Sequence, residues 1–214
     1  MSNKSYVGVD PSFLHGGVTI INEQAMMVFL KEFGATIAKN STLSIFQAIP
    51  VINGNEISYI ISHTSNDVYL GEEISRSFSG YMASELYALD YDLYCRARSI
   101  MDYHNINIYS NGTLSKSLLG HKSSEKEKTI FLVEDQILPI FEKHGYTIIK
   151  DSTALTKTGE KEKGRCVKRE TITDGNADAM IYALRQFVLY SDDENLKKDI
   201  LWVLPNLTNC KEIS

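Results

Sequence analysis

The chain has 214 residues and a formal net charge of −5, enough for one α/β domain with a sizeable core and short of two. No apolar run reaches the roughly 18 residues of a membrane span, and the acidic balance argues mildly against a nucleic-acid partner, because phosphate binding rests on Lys and Arg. Cys95, Cys166 and Cys210 lie far apart with no C-x-x-C pair, which leaves neither a disulfide framework nor a zinc knuckle as an organising feature.

The N-terminal residues lead into an apolar strand without the h-region of a signal peptide, so an intracellular, cytoplasmic protein with no membrane partner is expected. Tyr6 to Asp10 is apolar and β-branched at Val7 and Val9, and stops at Asp10-Pro11; it reads as a buried strand. Val18 to Asn22 and Met26 to Phe33 read as the next two, joined by short turns and therefore antiparallel. Ser41 or Thr42 can cap a helix that Pro50 and Asn53-Gly54 interrupt, and residues 40–58 receive no firm assignment. Asp67 to Gly71 reads as a strand running into Glu72-Glu73. Ala83 to Met101 carries Leu86, Leu89, Leu93, Ala97 and Ile100 at helical steps. Ile106 to Ser110 is a strand, Ser124 to Lys143 a helix, and Tyr146 to Lys150 a further strand. The stretch from Lys157 to Arg169 holds six Lys or Arg against two Glu and reads as a basic loop, suited to a phosphate backbone or simply solvated. A helix follows from about Asn176 to Tyr190. Three antiparallel strands followed by alternating strands and helices predict one mixed sheet with helices packed against it.

Three acidic features attract attention. Asp10 ends the first strand, Glu72-Glu73 ends a later one, and Asp174 and Asp178 lie four apart at the start of the last long helix, on one face. Each has a plain structural use: Asp10 as a turn cap, the glutamates as solvated groups, Asp174 as an N-cap. Asp178 is harder to dismiss, since the alanines and methionine around it form a close-packed face where a carboxylate is costly without a counter-charge. Carboxylates brought together repel one another unless a cation neutralises them, and oxygen-only ligands select Mg²⁺ or Mn²⁺.

The order of "GVDPS" with "GGVTII", then "YLGEE", then "DGNADAMIYAL" resembles the RuvC family of Holliday junction resolvases in the RNase H-like superfamily, its phage and viral branches most of all. The resemblance spans Tyr6 to Leu189 and implies an RNase H-like α/β fold: a mixed five-stranded sheet, its first three strands antiparallel, with helices on both faces. Residues 1–190 would form the nuclease domain and 191–214 a C-terminal tail. It implies a magnesium site of Asp10, Glu72, Asp174 and Asp178 holding two Mg²⁺, with Mn²⁺ able to substitute. Glu72 is preferred to Glu73 for its distance to the Ser79-Gly80 turn, and the two point to opposite faces of any strand. Many family members space the last two acids by three residues, whereas Asp174 and Asp178 are four apart.

The resemblance further implies that the segment from Ser110 to Lys128 contacts DNA through Thr113-Leu114, Lys116, His121-Lys122 and Lys126, with Lys126 as the cation near the scissile phosphate. Lys163 and Arg165 of the basic stretch are added as DNA contacts, and Phe78, with Tyr81, as a candidate wedge for the junction centre. The implied activity is two-metal-ion cleavage of branched DNA by symmetric nicks leaving 5′-phosphate and 3′-hydroxyl ends, carried out by a homodimer. Tyr87, Tyr91 and Tyr94 are candidates for the dimer interface, although core packing is the commoner fate of such aromatics. Nucleases of other branched DNA or RNA/DNA hybrids stay open. So do an actin-like or sugar-kinase-type ATP-binding protein, which also begins with a strand, an Asp and a glycine hairpin, and a junction binder with an incomplete metal site.

Overall fold

A computed structural model describes residues 3–13, 15–34, 45–74, 83–102, 105–110, 126–151, 153–162 and 165–209. The apolar run that opens the chain forms β1 (Lys4–Asp10), whose interior residues are all buried. Short turns fold β2 (His15–Asn22) back beside β1 and β3 (Met27–Gly34) back beside β2, each antiparallel to its neighbour. Met26 ends the second turn in the left-handed region, at φ 53°, so β3 begins one residue later than expected. The chain then crosses over to place β4 (Asp67–Ile74) parallel to β1 and β5 (Ile106–Ser110) parallel to β4. β6 (Thr147–Lys150) adds to the far edge, parallel to β3, giving the order β5-β4-β1-β2-β3-β6. The mixed sheet therefore has six strands rather than the expected five.

Side chains alternate across this sheet, and the helices divide accordingly. Val7, Val9, Val18, Ile20 and Leu70 form one core with Ile57 and Ile60 of α1 (Ile45–His63) and Leu93 and Ala97 of α2 (Ala83–Ile100). Tyr6, Ile21, Val28 and Leu30 face the opposite way, into a larger core. There they meet α3, α4 (Asp174–Tyr190) and α5 (Glu194–Val203). Helix α3 is α-helical over Lys126–Leu132, widens into a π-turn at Val133–Ile137 and resumes over Leu138–Lys143.

Three segments differ from expectation. Helix α1 runs through Pro50 and Asn53-Gly54 without a break. The missing hydrogen bond at Pro50 is offset by the burial of Ala48, Ile49, Ile52, Ile57 and Ile60, and Asn53 Nδ2 donates to Leu89 O across the interface at 2.8 Å. The basic stretch is a two-stranded antiparallel ribbon, β7 (Ala154–Glu162) with β8 (Arg165–Thr171), forming a second small sheet. Residues 194–209 are no loose tail: Leu196, Ile200, Leu204 and Leu207 enter the larger core, and Asp193 caps α5 by accepting from Leu196 N at 3.0 Å. Among the described residues no helix is long and apolar enough to cross a membrane.

Candidate active site

Helix α4 is seated on the sheet by glycines. A Cβ at Gly8 would collide with the backbone of Ala179 and Ala183, and one at Gly17 with Gly175, whose own Cβ would strike His15 O. Thr19 Oγ1 fixes the same contact by donating to Asn176 O at 3.2 Å. Thr173, rather than Asp174, is the N-cap, accepting from Asn176 N at 3.3 Å. Asp174 is thereby released from capping and occupies the first helical position. Because Gly17 stands directly opposite Asp10 in the β1–β2 register, the first turn of α4 lies over the end of β1 that carries Asp10. Asp178 follows one turn later.

The strand-end glutamates are sorted by the same contacts. Gly71 of β4 is level with Gly8 of β1, and a Cβ on it would press on Tyr182 O and Gln186 Nε2 of α4. Both glycines thus occupy the row of positions facing α4. Two residues further along each strand, the same row holds Asp10 in β1 and Glu73 in β4. Glu73 is level with Tyr109 of β5, whose ring stacks on Tyr182 at 5.4 Å, and Tyr182 lies one turn after Asp178 in α4.

Glu72 lies on the opposite face of the sheet from the row that holds Asp10. Its register partner is Val9, which packs in the core under α1 and α2. Glu72 is fully buried on that face, and among the described residues neither carboxylate oxygen has a hydrogen-bond partner. Burial, reinforced by Asp90 of α2 and Glu56 of α1, pushes its carboxyl well above the usual carboxylate range. Glu56 is likewise buried with both oxygens unpartnered. Burial and the nearby Asp90 raise its carboxyl to about 8.

Beside the α4 N-terminus opens a cleft of about 530 Å³, lined by His15 and Glu32 of the first hairpins, Ile130 of α3, Thr153 and Ala154 at the foot of the ribbon, and Thr173 and Asp174. His15 Nδ1 and Glu32 Oε1 are 2.9 Å apart. Neither was singled out from sequence, since they meet only after β2 and β3 pair. Lys126 opens α3 one turn before Ile130, and its side chain lies outside the described residues, as does that of Arg165 at the start of β8. Phe78, Tyr81, Lys116, His121, Lys122 and Lys163 also lie outside them, as do the cap candidates Ser41 and Thr42.

Among the described residues no group of three or more His, Cys, Asp or Glu side chains converges as a metal-binding cluster. The position that would complete such a group beside Asp10 is Glu73, whose side chain is not among them. Compared with protein-family models, curated proteins and solved structures, the chain matches none.

Proposed function

We propose that the protein is a metal-dependent endonuclease of RNase H-like fold that cuts branched DNA, in the manner of the RuvC resolvases its motifs resemble. The observation that carries this reading is the paired Gly-x-acid register. Gly8 and Gly71 are level in neighbouring parallel strands beneath α4, so Asp10 and Glu73 occupy equivalent positions two residues on, beside the helix bearing Asp174 and Asp178. A sheet centre of three antiparallel strands with β4 parallel to β1, covered by α4, agrees with that reading.

The four acids offer only carboxylate oxygens, a set suited to Mg²⁺ or Mn²⁺. Such ions, when bound, supply Lewis-acid stabilisation of the charge that develops on the phosphodiester. The chain's own part is positional. Backbone contacts at Gly8, Gly17 and Gly175 leave α4 no room to slide, so Asp174 and Asp178 stay in register with Asp10 as a phosphate enters the cleft. Lys126, at the head of α3, serves as the cation that balances the extra negative charge of the transition state.

The homodimer belongs to the same proposal. Tyr87 and Tyr91 are 49% and 55% exposed on α2 and stack on each other at 6.2 Å, an apolar surface away from the core.

Cleavage of a synthetic four-way junction with Mg²⁺, beside a linear duplex and an RNA/DNA hybrid, tests the reading. Asp10→Asn, Glu73→Gln and Asp178→Asn are each expected to lose on the order of 100-fold or more in rate, whereas Glu72→Gln keeps activity. Equal rates for parent and Asp10→Asn would sink it, and loss in Glu72→Gln with Glu73→Gln cutting like the parent would return the ligand role to Glu72.

A further inference from the structure

The β7–β8 ribbon stands outside the main sheet, and its sequence from Ala154 to Thr171 holds six Lys or Arg against three Glu in a chain of net charge −5. The pairing sets Lys157 directly opposite Lys168, on the same face. Both are exposed, and neither has a carboxylate partner among the described residues. Like charges on one rung destabilise a ribbon, and an external polyanion relieves that cost. On the next rung Arg169, level with Thr156, is turned to the body. There Arg169 Nη2 pairs with Asp135 Oδ1 at 2.8 Å, and its guanidinium lies 4.7 Å from the centre of the Phe131 ring. One basic rung is thus latched to α3 while the adjacent one is left to solvent.

We infer that this ribbon is a phosphate-gripping arm that holds a DNA duplex beside the candidate active site, with the Lys157–Lys168 rung as its grip. The inference rests on the nuclease reading for its placement. Ala154 at the foot of β7 lines the cleft that also contains Asp174, and Lys157 comes three residues later, about 10 Å along the strand. That is about three base pairs of duplex rise. From Ala154 to Thr171 there is no aromatic residue, so the arm lacks the stacking platforms that hold single strands. Backbone contact to a duplex is what its chemistry fits.

Fluorescence anisotropy with a labelled duplex and a labelled four-way junction, in chelator so that no strand is cut, tests the inference across a salt series. Lys157→Ala/Lys168→Ala is expected to weaken binding about tenfold near physiological salt and to reduce the slope of log K against log salt by about 1.8, the value for two lost phosphate contacts. Lys157→Arg/Lys168→Arg is expected to keep parent slope and affinity, with thermal melts matched among all three proteins. An unchanged slope in the alanine variant overturns the arm even if the parent cuts junctions. A lost slope in a protein that cuts no junction upholds the arm and removes the nuclease. Parent binding to a single-stranded RNA or to anionic vesicles in preference to the duplex also overturns it.

Discussion

At the scale of single residues, one position of register separates two glutamates with opposite surroundings. Glu72 and Glu73 are adjacent in sequence, yet the row that faces α4 contains Gly71 and position 73, and Glu72 is turned beneath α1 and α2. The acids themselves were legible in the sequence, as was the rule that the doublet must split across a strand. The side chosen depended on which neighbour is small, and Gly71 supplies that signal only once a helix is known to lie across it. The buried carboxylates have a consequence in pH. Burial, with Asp90 nearby, pushes the Glu56 carboxyl up to about 8 in the folded chain against 4.5 ordinarily. Below the ordinary value both folded and unfolded chains are protonated, and nothing is lost. As pH rises from there towards 8 the unfolded chain ionises while the folded one does not, so stability declines across that window and levels off above it. Thermal melts at pH 5, 6.5 and 8 are expected to show this fall. Glu56→Gln should make it shallower, the raised carboxyl of Glu72 supplying the rest, and raise the midpoint at pH 8 by several degrees, at roughly 2–4 °C per kcal/mol for a chain of this size.

At the scale of elements, the close seat of α4 is the most demanding feature. Gly8→Ala would drive a methyl into helix backbone at Ala179 and Ala183, which has no rotamer to yield, and is expected to cost about 1–3 kcal/mol or more. Denaturant titration would register the loss as a lower midpoint at unchanged slope; a variant as stable as the parent would show that α4 sits further from the sheet. The π-turn of α3 has a comparable role. Glu134 accepts from Ile172 N at 2.6 Å and pairs with Lys150 at 2.6 Å, so it joins the exit of β8, edge strand β6 and the approach to Thr173. Glu134→Gln keeps the hydrogen bond and removes the charge. It is expected to cost about 1 kcal/mol through the Lys150 pair, with Glu134→Ala costing more because Ile172 N is left without its acceptor. The ribbon was invisible as a ribbon in sequence, since Lys and Glu are weak strand formers and only pairing with its own partner strand gives that stretch an extended shape. Helix α1 was hidden by Pro50 and Gly54, which local propensity weighs heavily and which burial against α2 overrides.

At the scale of the whole molecule, the three consecutive antiparallel strands and the long helices were legible because hydrophobic period and turn residues agree there. The C-terminal helix was missed although Leu196, Ile200 and Leu204 recur every four residues, a helical period in a segment too polar to draw notice. Assembly is predicted from the same surface. If Tyr87 and Tyr91 lie at a twofold interface, Tyr91→Glu should convert a dimer to a monomer in sedimentation experiments without changing the melting temperature of the protomer. A parent protein that sediments as a monomer at every concentration tested would remove the interface.

The first strand is also bound to the exit of α4. Lys4 Nζ donates to Tyr190 O at 2.8 Å and to Asp192 Oδ2 at 2.7 Å, and the face of β1 bearing Asp10 is closed by a helix that starts at Asp174. During synthesis, which proceeds from the N-terminus, that face lacks α4 until residues 174–190 have left the ribosome. Asp174 and Asp178 can join Asp10 only after α4 has been made and has docked on the sheet. A truncated copy therefore carries Asp10 without Asp174 and Asp178, and on the nuclease reading proposed above it holds only part of the metal-binding acids.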